Sequence, residues 1–282
     1  MTLHEAQQQL LFQLYHLYDN REAANIADWV LEHLTGWKKI DRIVHKQVLL
    51  STPQVQQLET YTAALLRHQP VQYVLQEAWF DGMKFFVNEA VLIPRPETEE
   101  LVHWIASSFR GAGLTILDIG TGSGCIPIAL KKKLPAAQLY ACDISETALA
   151  VAQKNGAIHQ AAVQWMQLDI LDPKAWPSLP PVDLLVSNPP YIPVKDKSSM
   201  QHNVLQYEPH LALFVEDEDP LLFYRTIAAL ATEKLLPGGS VFVEIHEDLG
   251  EKTQQLLLDK GFTSVELKKD MQGKDRMIRG SR

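Results

Sequence analysis

Leu117-Asp118-Ile119-Gly120-Thr121-Gly122-Ser123-Gly124 decides how this chain folds. The first three residues read as the end of a strand and the next five as a glycine turn. Cys125 to Lys133 then has helical character, with Lys131, Lys132 and Lys133 placed to complement a helix dipole. Strand, glycine turn and helix in succession make the βα unit of a ligand-binding sheet. Glycines tolerate φ > 0 and let a ligand approach the backbone, and the N–H groups at a helix start receive its polar atoms.

The spacing is GxGxG, not the GxGxxG of a pyrophosphate cradle. It favours the amino-acid moiety of S-adenosylmethionine as the ligand of Gly120, Thr121, Gly122, Ser123 and Gly124. Further on, the apolar run Leu139-Tyr140-Ala141-Cys142 ends in Asp143, a carboxylate suited to ribose hydroxyls. A third strand, Val163 to Leu168, ends in Asp169-Ile170. A fourth, carrying Val182, Leu184, Leu185 and Val186, delivers Asn188-Pro189-Pro190-Tyr191. Alone, Asp143 or Asp169 also admits a reading as a helix cap. Four successive strands with such residues at their carboxyl ends point to the ligand crevice of an open parallel α/β sheet.

Asn188-Pro189-Pro190-Tyr191 is suited to holding a planar amino group. The Asn188 side-chain oxygen and a nearby carbonyl can each accept a hydrogen from an –NH2, while the prolines fix φ and add no competing donors. Asn188 is steered to an extended conformation by the proline after it, and Tyr191 adds a flat ring able to stack on an amide or a base. Taken by itself the tetrapeptide also fits a proline-bounded strand end.

The 282 residues leave room for two domains, and the 46% hydrophobic content supports ordinary cores. The formal net charge of −8 favours a protein acceptor and argues against stable nucleic-acid binding, which draws on a basic face. No stretch approaches a membrane span, and the start lacks the pattern of a signal peptide, so a cytoplasmic location is expected. The two cysteines, Cys125 and Cys142, suggest small core residues, and the ten histidines form no metal-binding pattern, so no metal is expected.

Residues 1–75 read as a helical domain. Leu10, Leu11, Leu14 and Leu17, then Ala23, Ile26, Ala27, Val30, Leu31 and Leu34, recur at spacings of three and four; Thr52, as cap, and Pro53 open a further helix. Residues 76–96 read as a β-hairpin linker, with Asp81-Gly82 and Asn88-Glu89 as turns. In 97–282, the catalytic part, Glu97 or Thr98 opens a helix. Later, a helix over Pro220 to Leu235, a Pro237-Gly238-Gly239 turn, a strand from Ser240 to Ile245, a helix ending at Lys260, and strands Thr263 to Leu267 and Arg276 to Ile278 complete the sheet.

Together, Leu92-Ile93-Pro94-Arg95-Pro96-Glu97-Thr98-Glu99, the GTGSG turn, Asp143-Ile144-Ser145 with Asn155, and Asn188-Pro189-Pro190-Tyr191-Ile192-Pro193 resemble the PrmC/HemK family of release factor glutamine N(5)-methyltransferases. The resemblance extends to Pro70-Val71-Gln72-Tyr73, to Glu208-Pro209, and to Asp270, Gly273 and Arg276. It implies a seven-stranded Rossmann-like, S-adenosylmethionine-dependent methyltransferase sheet behind an N-terminal helical bundle that recognises substrate. The implied acceptor is the glutamine of the Gly-Gly-Gln motif of peptide chain release factors. Asn188, Pro189, Pro190 and Tyr191 would hold it, with Arg95 beside the acceptor channel; Asn188, Pro189 and Tyr191 are the implied catalytic residues. The glycine turn, Asp143, Asp169, Ile170 and Asn188 would hold the cofactor.

Three positions depart from the family pattern. Gln76 replaces a usual glycine, Ile170 replaces a frequent aromatic, and Glu244-Ile245-His246-Glu247 lacks a usual glycine, so no role is carried to Glu244. The residues also admit glutamine methylation of a ribosomal protein, methylation of an exocyclic amino group in nucleic acid, and a cofactor-binding protein without catalysis.

Overall fold

The computed structural model describes residues 1–109 and 113–282. They form two compact units. One comprises Met1–Glu77 with Gln201–Tyr207, and the other Ala78–Met200 with Glu208–Arg282.

The first unit is helical, with helices Leu3–Leu14, Asn20–Thr35, Lys39–Val44, Thr52–Leu65, Val71–Leu75 and His202–Tyr207. Local chemistry sets their starts. The Thr2 N–H donates to the Glu5 carboxylate and the Glu5 N–H to the Thr2 hydroxyl in a capping box, and Asp19 accepts from the N–H groups of Arg21 and Glu22. Ala6, Leu10, Leu14, Ala23, Ile26, Val30, Leu58 and Leu65 share one core. Leu17 does not: the first helix ends at Leu14, leaving Leu17 exposed. The fourth helix is capped by Ser51, one residue before the expected Thr52, with the Gln54 side chain accepting from the Ser51 N–H. The segment Gln201–Tyr207 returns to this unit, where the Tyr207 hydroxyl donates to the Arg67 carbonyl at 2.8 Å.

The second unit opens with the expected hairpin. Ala78–Phe80 pairs antiparallel with Met83–Phe85, and Asp81 and Gly82 both have positive φ, the twist that joins such strands in two residues. A seven-stranded sheet follows: β1 Thr115–Ile119, β2 Gln138–Asp143, β3 Val163–Gln167, β4 Val182–Ser187, β5 Leu235–Glu244, β6 Ser264–Lys269 and β7 Asp275–Ser281. Across the sheet the order is β3-β2-β1-β4-β5-β7-β6, with β7 antiparallel to both neighbours. Strand β5 begins earlier than expected. Leu235 already pairs with Val182, and a register shift around the Pro237-Gly238-Gly239 stretch precedes the pairing of Ser240 with Leu184.

Helices cover both faces, so successive strand residues alternate between two cores. Leu117, Ile119, Leu185, Val241 and Val243 pack on one side with Tyr224, Ile227 and Leu257. Ile116, Leu184, Val186 and Phe242 pack on the other with Leu101, Ile105 and Ile128. The chain moves from β1 outward through β2 to β3, then crosses back to β4 on the opposite side of β1. That reversal opens a crevice at the carboxyl ends of β1 and β4.

Candidate active site

A cavity occupies this crevice. The loop after β1 lines it with Gly120, Thr121, Gly122 and Ser123, and the ends of β2 and β3 contribute Asp143, Asp169 and Ile170. Ser187, Asn188, Pro189 and Pro190 enter from β4, and Arg95 and Thr98 come from the start of helix Pro96–Ser108. Phe223 and Ile227 add an apolar wall.

The glycine loop is anchored to β2. The N–H groups of Gly120 and Thr121 donate to the Cys142 carbonyl at 2.9 and 3.0 Å, and the Gly122 N–H donates to Asp143 Oδ2 at 2.9 Å. Asp143 Oδ1 accepts from the Ser145 N–H, so each carboxylate oxygen keeps acceptor capacity for a hydroxyl. Burial raises the Asp143 carboxyl above its ordinary range, and the backbone donors of Ser145 and Gly122 oppose that rise. Gly124 is placed differently from its partners. It does not line the cavity; at φ +78°, a Cβ there would lie 3.0 Å from the Trp165 ring and 3.2 Å from Ala152. Its freedom serves loop conformation and packing on the helix behind.

Asp169 Oδ1 accepts from the Leu171 N–H, and the Ile170 carbonyl from the Trp176 indole. These contacts fix a carboxylate and an apolar side chain in the cavity wall. Beneath the glycine loop, the buried Thr121 hydroxyl and both Asp118 carboxylate oxygens meet no hydrogen-bond partner among the described residues. The cavity thus sets a carboxylate with free acceptor capacity, Asp143, beside the apolar side chain of Ile170, with unpartnered polar atoms of Asp118 and Thr121 buried nearby.

Around Asn188 the side chains form one hydrogen-bonded chain. Asn188 Nδ2 donates to Thr98 Oγ1 at 3.0 Å, Thr98 Oγ1 donates to Glu244 Oε2 at 2.6 Å, and the Tyr191 hydroxyl donates to Glu244 Oε1 at 3.0 Å. Thr98 therefore lies inside its helix, bonded across to β5; Arg95 is the residue that precedes the helix. Tyr191 does not line the cavity. Its hydroxyl is on Glu244 and its ring meets His246 edge-on. Burial and the Glu244 charge push the phenol well above its ordinary range, so it remains a donor. Glu244 is only 1% exposed. Burial raises its carboxyl, and the bonds from Thr98 and Tyr191 and the charge of Arg276 oppose the rise.

Arg95 lines the cavity, and its guanidinium is held by Glu208 at 2.6 Å; Glu208 also accepts from the Ile93 N–H at 3.2 Å. Both cysteines are buried, and burial pushes each thiol up to about 12. Among the described residues no group of three or more His, Cys, Asp or Glu could hold a metal, and no helix is long and apolar enough to cross a membrane.

The sequence reading missed Glu244, Glu208 and the bonding role of Thr98. Thr98 and Glu208 stand within motifs already singled out. Glu244 carried a weaker signal, an acidic residue ending an apolar strand.

Residues 98–210 match the methyltransferase small domain and residues 3–75 the PrmC N-terminal domain. Among solved structures, a methyltransferase from Pyrococcus furiosus superposes with a TM-score of 0.52 at 18% identity, covering 82% of this chain and 98% of that one, a likeness of fold. The release factor glutamine methyltransferase of Bacteroides thetaiotaomicron is 40% identical over 269 residues, 95% of this chain and 96% of its own. That of Flavobacterium psychrophilum is 43% identical over 285 residues, 99% of both chains. With identity at that level running from end to end, the chain belongs to the release factor glutamine methyltransferase family.

Proposed function

We propose that this protein transfers the methyl group of S-adenosylmethionine to the side-chain amide nitrogen of the glutamine in the Gly-Gly-Gln motif of class 1 peptide chain release factors, in the cytoplasm. The observation that carries the reading is the placement of Asn188. It lies at the carboxyl end of β4, in the wall of the cavity, with its own –NH2 already engaged by Thr98. Its oxygen is thereby left to accept from an acceptor amide.

A carboxamide nitrogen is a poor nucleophile because its lone pair is delocalised into the carbonyl. Asn188 Oδ1 and the Pro189 carbonyl accept its two hydrogens and orient the nitrogen; as the N–CH3 bond forms, the S–CH3 bond would break to leave a thioether, and the methylated nitrogen then gives up one proton to water. Tyr191 supports this arrangement through Glu244. The cofactor supplies an electrophilic methyl group on a sulfonium. Gly120, Thr121, Gly122 and Ser123 receive its amino-acid part, Asp143 its ribose, and Asp169 with Ile170 its adenine. Positioning accounts for most of the acceleration, since a bound near-attack geometry replaces a bimolecular encounter.

The test is methyl transfer from labelled S-adenosylmethionine to a purified release factor and to its Gly-Gly-Ala variant, with ribosomal protein and nucleic acid as competing acceptors. Label on the wild-type factor alone is expected. Label on a competitor instead keeps the amide chemistry and overturns the acceptor.

A further inference from the structure

We propose that Glu244 is a positioning residue of the methyl transfer: acting through Thr98, it dictates which end of the Asn188 carboxamide faces the acceptor. The inference rests on the reading that Asn188 Oδ1 receives an acceptor hydrogen.

The argument is one of donor counting. An ionised carboxylate can only accept. The 2.6 Å contact between Thr98 Oγ1 and Glu244 Oε2 must therefore use the single hydroxyl proton of Thr98, directed at Glu244. With that proton committed, Thr98 has only lone pairs to offer Asn188, and the atom 3.0 Å away must be the donor Nδ2. Oδ1 is left to receive the acceptor.

The opposite orientation would put an –NH2 against the acceptor's own –NH2, donor against donor. Tyr191 closes the system from the other side, its hydroxyl committed to Glu244 Oε1. Arg276, held by Asp270 and by the Ile245 carbonyl, adds the positive charge that opposes protonation of the buried carboxylate. Thus a residue outside the cavity lining sets the polarity of the group that binds substrate.

Glu244→Gln separates polarity from shape. The new carboxamide meets the Tyr191 donor with its oxygen and turns its –NH2 toward Thr98. Thr98 then donates to Asn188, which reverses. The expected result is a fall in kcat of roughly 10²-fold, the scale of losing one preorganised polar contact, with the dissociation constant for S-adenosylmethionine within about 2-fold of wild type. Thr98→Val should fall similarly, and Thr98→Ser, which keeps the hydroxyl, should recover most of the rate.

The pH profile gives a readout that a merely structural role would not move. Glu244 is faced by Tyr191, Arg276, Glu97 and Tyr224, and as a carboxyl raised by burial it loses its acceptor-only character on protonation. Wild-type kcat should decline as pH falls through that transition, and Glu244→Gln should lack the limb.

Asn188→Ala distinguishes the two levels of the reading. If Asn188→Ala is inactive while Glu244→Gln and Thr98→Val turn over normally, Asn188 keeps its role and the polarity relay is overturned. If Asn188→Ala itself turns over normally, the underlying assignment of Asn188 fails.

Discussion

Asn155 uses its carboxamide as a substitute peptide partner for Phe86: Oδ1 accepts from the Phe86 N–H at 2.7 Å and Nδ2 donates to the Phe86 carbonyl at 2.9 Å. Nδ2 also donates to the Ser123 carbonyl at 2.9 Å. A buried side chain on helix Glu146–Ile158 thus ties the chain leaving the hairpin to the glycine loop.

Asn155→Ala leaves three backbone groups without partners. With each buried unsatisfied group costing about 1–3 kcal/mol, the loss in unfolding free energy should be on the order of 3 kcal/mol or more. Cofactor affinity should fall as well, because Ser123 belongs to the loop. Denaturant unfolding and cofactor titration of the same variant check both; affinity unchanged beside lost stability would uncouple Asn155 from the loop.

Glu208 and Arg95 form a second tie, in the wall of the cavity. The Glu208 side chain is 1% exposed and Arg95 33%, so Glu208→Ala removes the acceptor of the Ile93 N–H and frees a guanidinium in the cavity wall. We expect about 2–4 kcal/mol of destabilisation. Turnover should show a raised KM for the release factor with cofactor affinity preserved. A KM at the wild-type value would remove Arg95 from the acceptor channel.

Gln76 follows helix Val71–Leu75 in the left-handed region, at φ +54°. A side chain there is strained where glycine is not. Gln76→Gly should raise stability by about 0.5–1 kcal/mol, the strain relief exceeding the added chain entropy. Thermal unfolding at matched pH decides it, and a lower melting temperature would contradict the strain argument.

These positions mark where sequence was informative. The strands, the glycine turn and Asn188 follow local rules: apolar alternation, glycine spacing and proline neighbours are read within a few residues. Most of the cavity lining is legible that way, because an open parallel sheet gathers its strand ends into one crevice. Glu244 and Glu208 obey no local rule. Their partners Thr98 and Arg95 lie 146 and 113 residues away along the chain, and only the fold brings the donors to those carboxylates. The hydroxyl of Thr98 reads as a helix start for the same reason. Gly124 was legible as part of a loop, but the Trp165 ring behind it was not.

Asp118 is fully buried on β1, and neither carboxylate oxygen has a hydrogen-bond partner among the described residues. Burial pushes its pKa up to about 7, and the charge of Asp143 adds to the rise. For an acid raised in the folded state, the native protein binds the proton more tightly than the unfolded chain does. Its contribution to stability is therefore fully present below the ordinary carboxylate pKa of about 4 and is lost as pH rises toward 7. The cofactor-free protein should lose stability across that interval. Asp118→Asn should flatten the dependence and gain on the order of 2–4 kcal/mol at pH 8. The same substitution removes negative charge from beneath the glycine loop, where the cofactor's ammonium group is expected, so its affinity for S-adenosylmethionine should fall. Unfolding curves from pH 4 to 8, with and without cofactor, test both effects. Parallel pH profiles in wild type and Asp118→Asn would rule out Asp118 as the titrating group.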